Sequence, residues 1–297
     1  GQAGEADLVL VSSLVALTAS LSAEHSSAVR GHVLSSLARA ADVLAAFPER
    51  MAEVVRHIVE LLVSDYAATL RGATDLLDAA VPAAAGDLDA LLRAELRKTR
   101  DPRVRTFLLG HLAAAARLGA DDAARAETCR MLAEEFAAGR QDASDQQALA
   151  GDLYRLPAEH AAAALIDNFP GADKGPQRHF LRLLSDVCRY REVPHAILES
   201  TGELFLSCLE GAAKELRLGV LETILPADPR LSPELRARLA EAYIESFSDL
   251  VFRADIELAE STLAHMGPPA LRVLLDRLGP SWPADERTRA CRIVGEM

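Results

Sequence analysis

One local pattern recurs along this chain and limits what it can fold into: a small or acidic capping residue, an apolar residue three later and an arginine four later. It stands at Asp101-Val104-Arg105, Ser26-Val29-Arg30 and Asp249-Phe252-Arg253, more loosely at Asp285-Thr288-Arg289, and without the cap at Ala213-Leu216-Arg217. The starts at 26, 101, 213, 249 and 285 lie 75, 112, 36 and 36 residues apart, or two, three, one and one multiples of about 37. The skipped phases, near 64, 139 and 175, fall close to Ser64-Asp65, Asp142 to Ser144 and Gly175-Pro176, each able to open a helix. A repeat of this length holds two helices, and such a hairpin cannot bury its apolar side without stacking on neighbours.

The rest of the sequence agrees with helix. Leu271, Leu274, Leu275 and Leu278 follow the i, i+3, i+4, i+7 spacing; Leu88, Leu91, Leu92 and Leu96 nearly do, and Val104, Leu108, Leu112 and Ala115 form a third stripe. No β-branched alternation with hairpin turns is found. The apolar residues are mostly Ala and Leu, which lose little side-chain freedom in a helix. The spacing predicts helices over 5–21, 26–46, 48–63, 66–80, 87–98, 102–118, 121–138, 143–154, 158–168, 176–190, 194–210, 212–225, 233–247, 249–266, 268–278 and 284–296. With these bounds none of the fourteen prolines sits inside a helix, and Pro48, Pro102, Pro176, Pro194, Pro233 and Pro268 take first-turn positions, where the missing N–H costs nothing.

The run Asp101-Pro102-Arg103-Val104-Arg105 with Leu109 and Ala113 resembles the second helix of a HEAT repeat. Gly267-Pro268-Pro269-Ala270-Leu271 through Leu278, followed by Asp285 to Gly295, resembles a whole repeat. The resemblance implies an all-α, right-handed superhelix, a HEAT-like or armadillo-like solenoid of about eight antiparallel helix pairs, spanning residues 1–297 as one continuous domain. It further implies that second helices, 102–118 among them, line a concave surface. It implies too that the patterned aspartates and arginines bond between adjacent repeats rather than to a ligand. Asp101 and Asp285 are expected to cap their helices, worth about 1 kcal/mol each. The start at Gly1 and the absence of a capping repeat after Gly295 read as a piece of a longer chain, with Ile293 and Val294 left bare.

A net charge of −12 disfavours nucleic acid as partner, because phosphate binding needs a positive field. That charge is uneven: residues 1–80 carry −5, 81–190 only −1 and 191–297 carry −6. Within the middle third, Arg93, Arg97, Lys98, Arg100, Arg103 and Arg105 lie within 13 residues, opposed by Glu95 and Asp101. The first five are the candidate binding patch for an acidic peptide or a phosphate; the alternative is a solvated turn. Cys129, Cys188, Cys208 and Cys291 form no C-x-x-C pair and are expected to be reduced core residues of a cytoplasmic protein. The uncharged stretch from Leu8 to Ala23 is too short to span a bilayer and lacks the positive flank of a signal peptide, so no membrane insertion is expected.

No phosphate-binding glycine loop, dinucleotide-binding turn, nucleophile elbow or H-E-x-x-H motif occurs. His57 and Glu60 are the one tidy i, i+3 pair, and His-Glu dipeptides, which di-iron enzymes built from HEAT-like repeats carry, are missing. Trp282, the single tryptophan, sits in a proline-rich turn and is expected to cover a helix end. No metal, cofactor or catalytic residue is therefore expected. The functional expectation is a non-catalytic scaffold or regulatory module that binds a protein or peptide partner. The alternative is a HEAT-like enzyme, a chromophore lyase or a DNA alkylpurine glycosylase.

Overall fold

A computed structural model describes residues 4–21, 26–119, 121–172, 174–211, 213–250, 253–278 and 283–297. Among them it contains sixteen α-helices, three short 3-10 turns and no strand. Asp249 and Asp285 are described as backbone alone, while His25, Phe252 and Trp282 lie outside the described residues. No described helix is long and apolar enough to cross a membrane.

The chain divides into two compact units, Gly1–Glu135 with Arg140–Leu156, and Phe136–Gly139 with Pro157–Met297. The first holds α1 (Glu5–Ala19), α2 (Ser27–Arg39), α3 (Ala41–Ala45), α4 (Pro48–Ser64), α5 (Tyr66–Lys98), α6 (Pro102–Leu118), most of α7 (Asp122–Ala138) and α8 (Ala143–Arg155). The second holds α9 (Ala158–Asn168), α10 (Lys174–Tyr190), α11 (His195–Glu210), α12 (Lys214–Leu221), α13 (Pro233–Glu245), α14 (Arg253–Met266), α15 (Pro268–Arg277) and α16 (Ala284–Glu296).

Helix starts follow the local chemistry. The Asp101 carboxylate accepts from the N–H of Arg103 at 2.9 Å and of Val104 at 3.3 Å, and Asp142 accepts from Asp145 at 2.9 Å. Ser26, Ser232 and Asp65 cap α2, α13 and α5 in the same way. Pro48, Pro102, Pro233 and Pro268 occupy the first turn. The entry to α15 turns on Gly267, whose φ of +67° suits a residue without Cβ.

Four expected bounds are corrected. Helix 26–46 breaks at Ala40 (φ −104°, ψ 14°), and the short α3 swings Ala41 and Leu44 into the core against α4 and α5. The expected break between helices 66–80 and 87–98 is present as a kink within α5, but the first of the pair runs on through Pro82, so one proline does lie within a helix. The damage is local: Pro82 cannot donate to the carbonyl four residues back, and the backbone leaves helical geometry at Ala84 (φ −141°, ψ 33°) before resuming. Helix 212–225 shrinks to α12, because Pro226 forces the residues before it out of the helix and into a 3-10 turn at Leu225–Ala227. Helix 249–266 begins at Arg253, behind a 3-10 turn at Ser246–Asp249.

In the second unit α9 packs on α11, α11 on α13 and α13 on α15, while α10 packs on α12, α12 on α14 and α14 on α16. In the first, α4 packs on α1, α5 and α6, α2 on α5, and α6 on α5 and α8. The buried set is mostly Leu, Val and Ala, with few rings: Phe136 and Phe180 meet at 4.9 Å, and the buried Tyr243 hydroxyl donates to the Leu221 carbonyl at 2.9 Å. Fully burying a leucine contributes about 1.5–3 kcal/mol, so stripes such as Val104, Leu108, Leu112 and Ala115, all buried, supply the main driving force. Ile293 is also buried, against expectation, and Val294 is half-buried. Cys129, Cys188 and Cys208 are buried free thiols, and burial pushes Cys208 up to about 11, so it stays protonated and unreactive; Cys291 is exposed, against expectation.

Two glycines on α5 should respond oppositely to alanine. A Cβ on Gly72 would meet the Leu34 Cβ at 2.8 Å, an atom that moves only with its backbone, whereas exposed Gly86 has nothing within 4 Å. Gly72→Ala is expected to lower the unfolding free energy read from urea denaturation by up to about 2 kcal/mol, and Gly86→Ala to raise it by about 0.5–1 kcal/mol.

Candidate partner-binding surface

The basic run 93–105 covers the end of α5, the turn at Thr99 to Asp101 and the start of α6. Much of its charge is engaged within the first unit. Arg93 grips both Asp89 oxygens, at 2.7 and 3.0 Å, and reaches α7 at the Ala124 carbonyl (3.0 Å) and the Thr128 hydroxyl (2.8 Å). Arg105 donates to Glu135 at 2.6 Å and to the Leu96 and Thr99 carbonyls at 2.9 and 3.1 Å, covering acceptors that the end of α5 leaves open. Lys98 pairs with Glu95 at 2.6 Å. Arg103 lies 3.6 Å from Asp101 and 5.1 Å above the Tyr66 ring.

Arg97 and Arg100 remain. Both are exposed, and neither makes a hydrogen bond or ion pair among the described residues. Arg97 borders a shallow hollow of about 400 Å3 together with Arg93, Asp121, Glu127, Arg130 and Glu134. Arg130 is held by Glu127 and Glu134 in that hollow, so its cation is already compensated. The five candidate residues therefore lie at and just before one turn, and two of them have no ion-pair partner among the described residues.

The patterned arginines divide in the same way. Arg30, 3% exposed, pairs with Asp65 at 2.5 Å; Arg105 pairs with Glu135; and Arg289 lies 3.4 Å from Glu260. Each reaches a different helix. Arg217 donates to the Gly211 carbonyl at 2.6 Å and Arg253 to Glu257 at 2.7 Å, both local contacts. Arg30 thus meets Asp65, the capping aspartate at the next phase of the repeat, whereas Arg105 and Arg289 meet glutamates outside the pattern.

Further ties of this kind have no motif in the sequence. Glu222, 5% exposed, accepts from Arg178 Nε at 2.8 Å and also from Arg182. Glu203 takes Arg238 at 2.8 Å; Glu199 accepts from the Ser232 N–H and hydroxyl at 2.7 and 2.9 Å; Glu260 takes Arg292. The partners lie 32 to 44 residues apart, near the spacing of the repeat, so periodic distance was the signal that could have found them. His57 and Glu60 do meet, at 3.2 Å, with no third ligand atom beside them among the described residues.

No protein-family model and no curated protein matches the chain. Among solved structures, a chain described as "Computational Design of Self-Assembling Cyclic Protein Homooligomers" is 10% identical over 98% of this chain and 89% of that one, with a TM-score of 0.15, too low to bear on fold or assembly.

Two outcomes are expected of the ties. Glu135→Ala strands Arg105 in a partly buried site and should cost about 3 kcal/mol in chemical denaturation, whereas Glu134→Ala, on an exposed pair, should change stability by less than about 1 kcal/mol. The Arg30 guanidinium and then the Ala68 N–H hold the Asp65 carboxyl below its usual 3.8, against the effect of burial. The stability from a lowered acid is present above that value and lost as pH falls through the folded one. Asp65→Asn should therefore show a flatter loss of stability below about pH 4, read from urea midpoints across the acid range.

Proposed function

We propose that the chain is a non-catalytic protein-interaction module, in which the hairpins of each unit stack as a right-handed, HEAT-like solenoid. The observation that carries this reading is the set of Arg–Glu ties linking helices 29 to 44 residues apart, together with the packing, in the second unit, of each helix from α9 to α14 on the helix two further along. Stacking of this kind leaves one face of every helix free to present side chains. The free thiols fit a cytoplasmic setting.

The partner we assign is an acidic protein segment, docked on Arg97 and Arg100 at the α5–α6 turn. Both cations stand uncompensated on a protein of net charge −12, and neither serves the packing of α5, α6 and α7. Exposed charge of this kind mainly raises association rates and specificity, and it weakens with salt.

A fluorescein-labelled oligoglutamate peptide is a direct probe. At low ionic strength its affinity should fall about tenfold, or 1.4 kcal/mol, in Arg97→Glu/Arg100→Glu. The Arg253→Glu control, on an exposed arginine of α14, should bind like the unaltered chain. Equal binding by all three proteins, or none by the unaltered one, would remove the proposal.

A further inference from the structure

The end of α10, the turn after α12 and the last two turns of α14 enclose a cleft of about 620 Å3 within the second unit. Its size is that of a small-molecule site. Ile224, Ala227 and Pro229 give it an apolar wall, and Arg189, Arg230, Ser261 and His265 give it a polar one. Asp228 is the one carboxylate among the lining residues. The lining itself thus carries two guanidinium groups against one carboxylate, with Asp186 near Arg189 and Glu192 near Arg230 outside it.

Arg230 is fixed in advance. Its Nε and Nη2 hold Asp228 at 3.0 and 2.6 Å, and Nη2 also donates to the Cys188 carbonyl at 2.5 Å. Burial pushes the Asp228 carboxyl up, but the side-chain and backbone hydrogen bonds from Arg230 outweigh it, so the carboxyl stays below 3.8 and ionised. That pair neutralises itself and leaves a rigid guanidinium edge. Arg189 supplies the surplus charge: it is exposed, stacks 5.1 Å above the Tyr190 ring, and makes no hydrogen bond or ion pair among the described residues.

His265 completes the polar wall. Its Nδ1 lies 2.6 Å from the Ser261 carbonyl, an acceptor only, so Nδ1 carries the proton. Nε2 is then the nitrogen left to meet a ligand, as an acceptor from an O–H group on it. A guanidinium fork matches the paired oxygens of carboxylates and phosphates; Arg189 can offer one, while Arg230, with Nε and Nη2 already engaged, adds Nη1 as a donor held in place, which lowers the ordering cost of binding.

We propose that this cleft binds a small molecule with an oxyanion head on a short apolar body, the head on Arg189 and Arg230 and the body along Ile224 and Pro229. The inference stands apart from the protein-interaction reading, which concerns the other unit.

The test is calorimetric titration of the whole chain with phenyl phosphate and with benzoate. Saturable one-to-one binding of either probe is expected, weakened at least tenfold in Arg189→Ala and unchanged in Arg253→Ala, whose side chain is 92% exposed outside the cleft. Arg189→Lys should bind more weakly than the unaltered chain and more tightly than Arg189→Ala, since it keeps the charge and loses the fork. The tighter probe identifies the head as phosphate ester or carboxylate. No saturable binding of either probe, binding indifferent to Arg189→Ala, or an equal loss in Arg253→Ala would overturn the proposal.

Discussion

Burying a carboxylate is costly, and this chain buries several beside arginines from other helices. Glu135, Glu222 and Glu260 are each at most 7% exposed at the side chain and each meets at least one guanidinium from another helix. Replacing such pairs with apolar residues often leaves a protein no less stable. Their value here is positional. Stripes of Leu and Ala fit one another in more than one register, because one methyl group resembles the next. A buried glutamate has one acceptable place, opposite its arginine. The hydrophobic stripes supply most of the stabilisation, and the ion pairs decide which helix turn lies against which.

The same economy governs the surface. A run of six basic residues looks in the sequence like a positive patch. In the folded chain Arg93 and Arg105 tie α5 to α7 and close the α5 terminus, Lys98 and Arg103 have acidic neighbours, and Arg97 and Arg100 remain. In the second unit Arg230 is committed to Asp228 and Cys188 while Arg189 is not. Charge available to a ligand is therefore a much smaller set than charge present, and only partners distant in sequence distinguish the two.

Helix positions were largely legible because their signals are local. Asp101-Pro102, Ser232-Pro233 and Asp142 each combine a side-chain acceptor or a fixed φ with the first free N–H groups of a helix, and these starts fall within a residue of expectation. The errors arose where packing overrode a local rule. Pro82 was expected to lie between two helices, but the first stretch of α5 runs through it to the kink at Ala84, with Ala80, Val81 and Ala84 buried. Ala40 carries no breaking signal, yet the chain bends there to bury Ala41 and Leu44. Cys291 resembles its three buried counterparts in local sequence and differs in which side of α16 it occupies.

The sequence by itself determined that the chain is helical, where most helices begin, and which stripes seek cover, because 3.6-residue periodicity and capping act within a few residues. Tertiary structure alone decided which carboxylate each arginine meets, which cations stay free, and that a cleft lined by Arg189, Arg230 and His265 exists at all. The ties between helices and the cleft join residues about 30 or more positions apart, and no nearest-neighbour rule of helix chemistry extends that far.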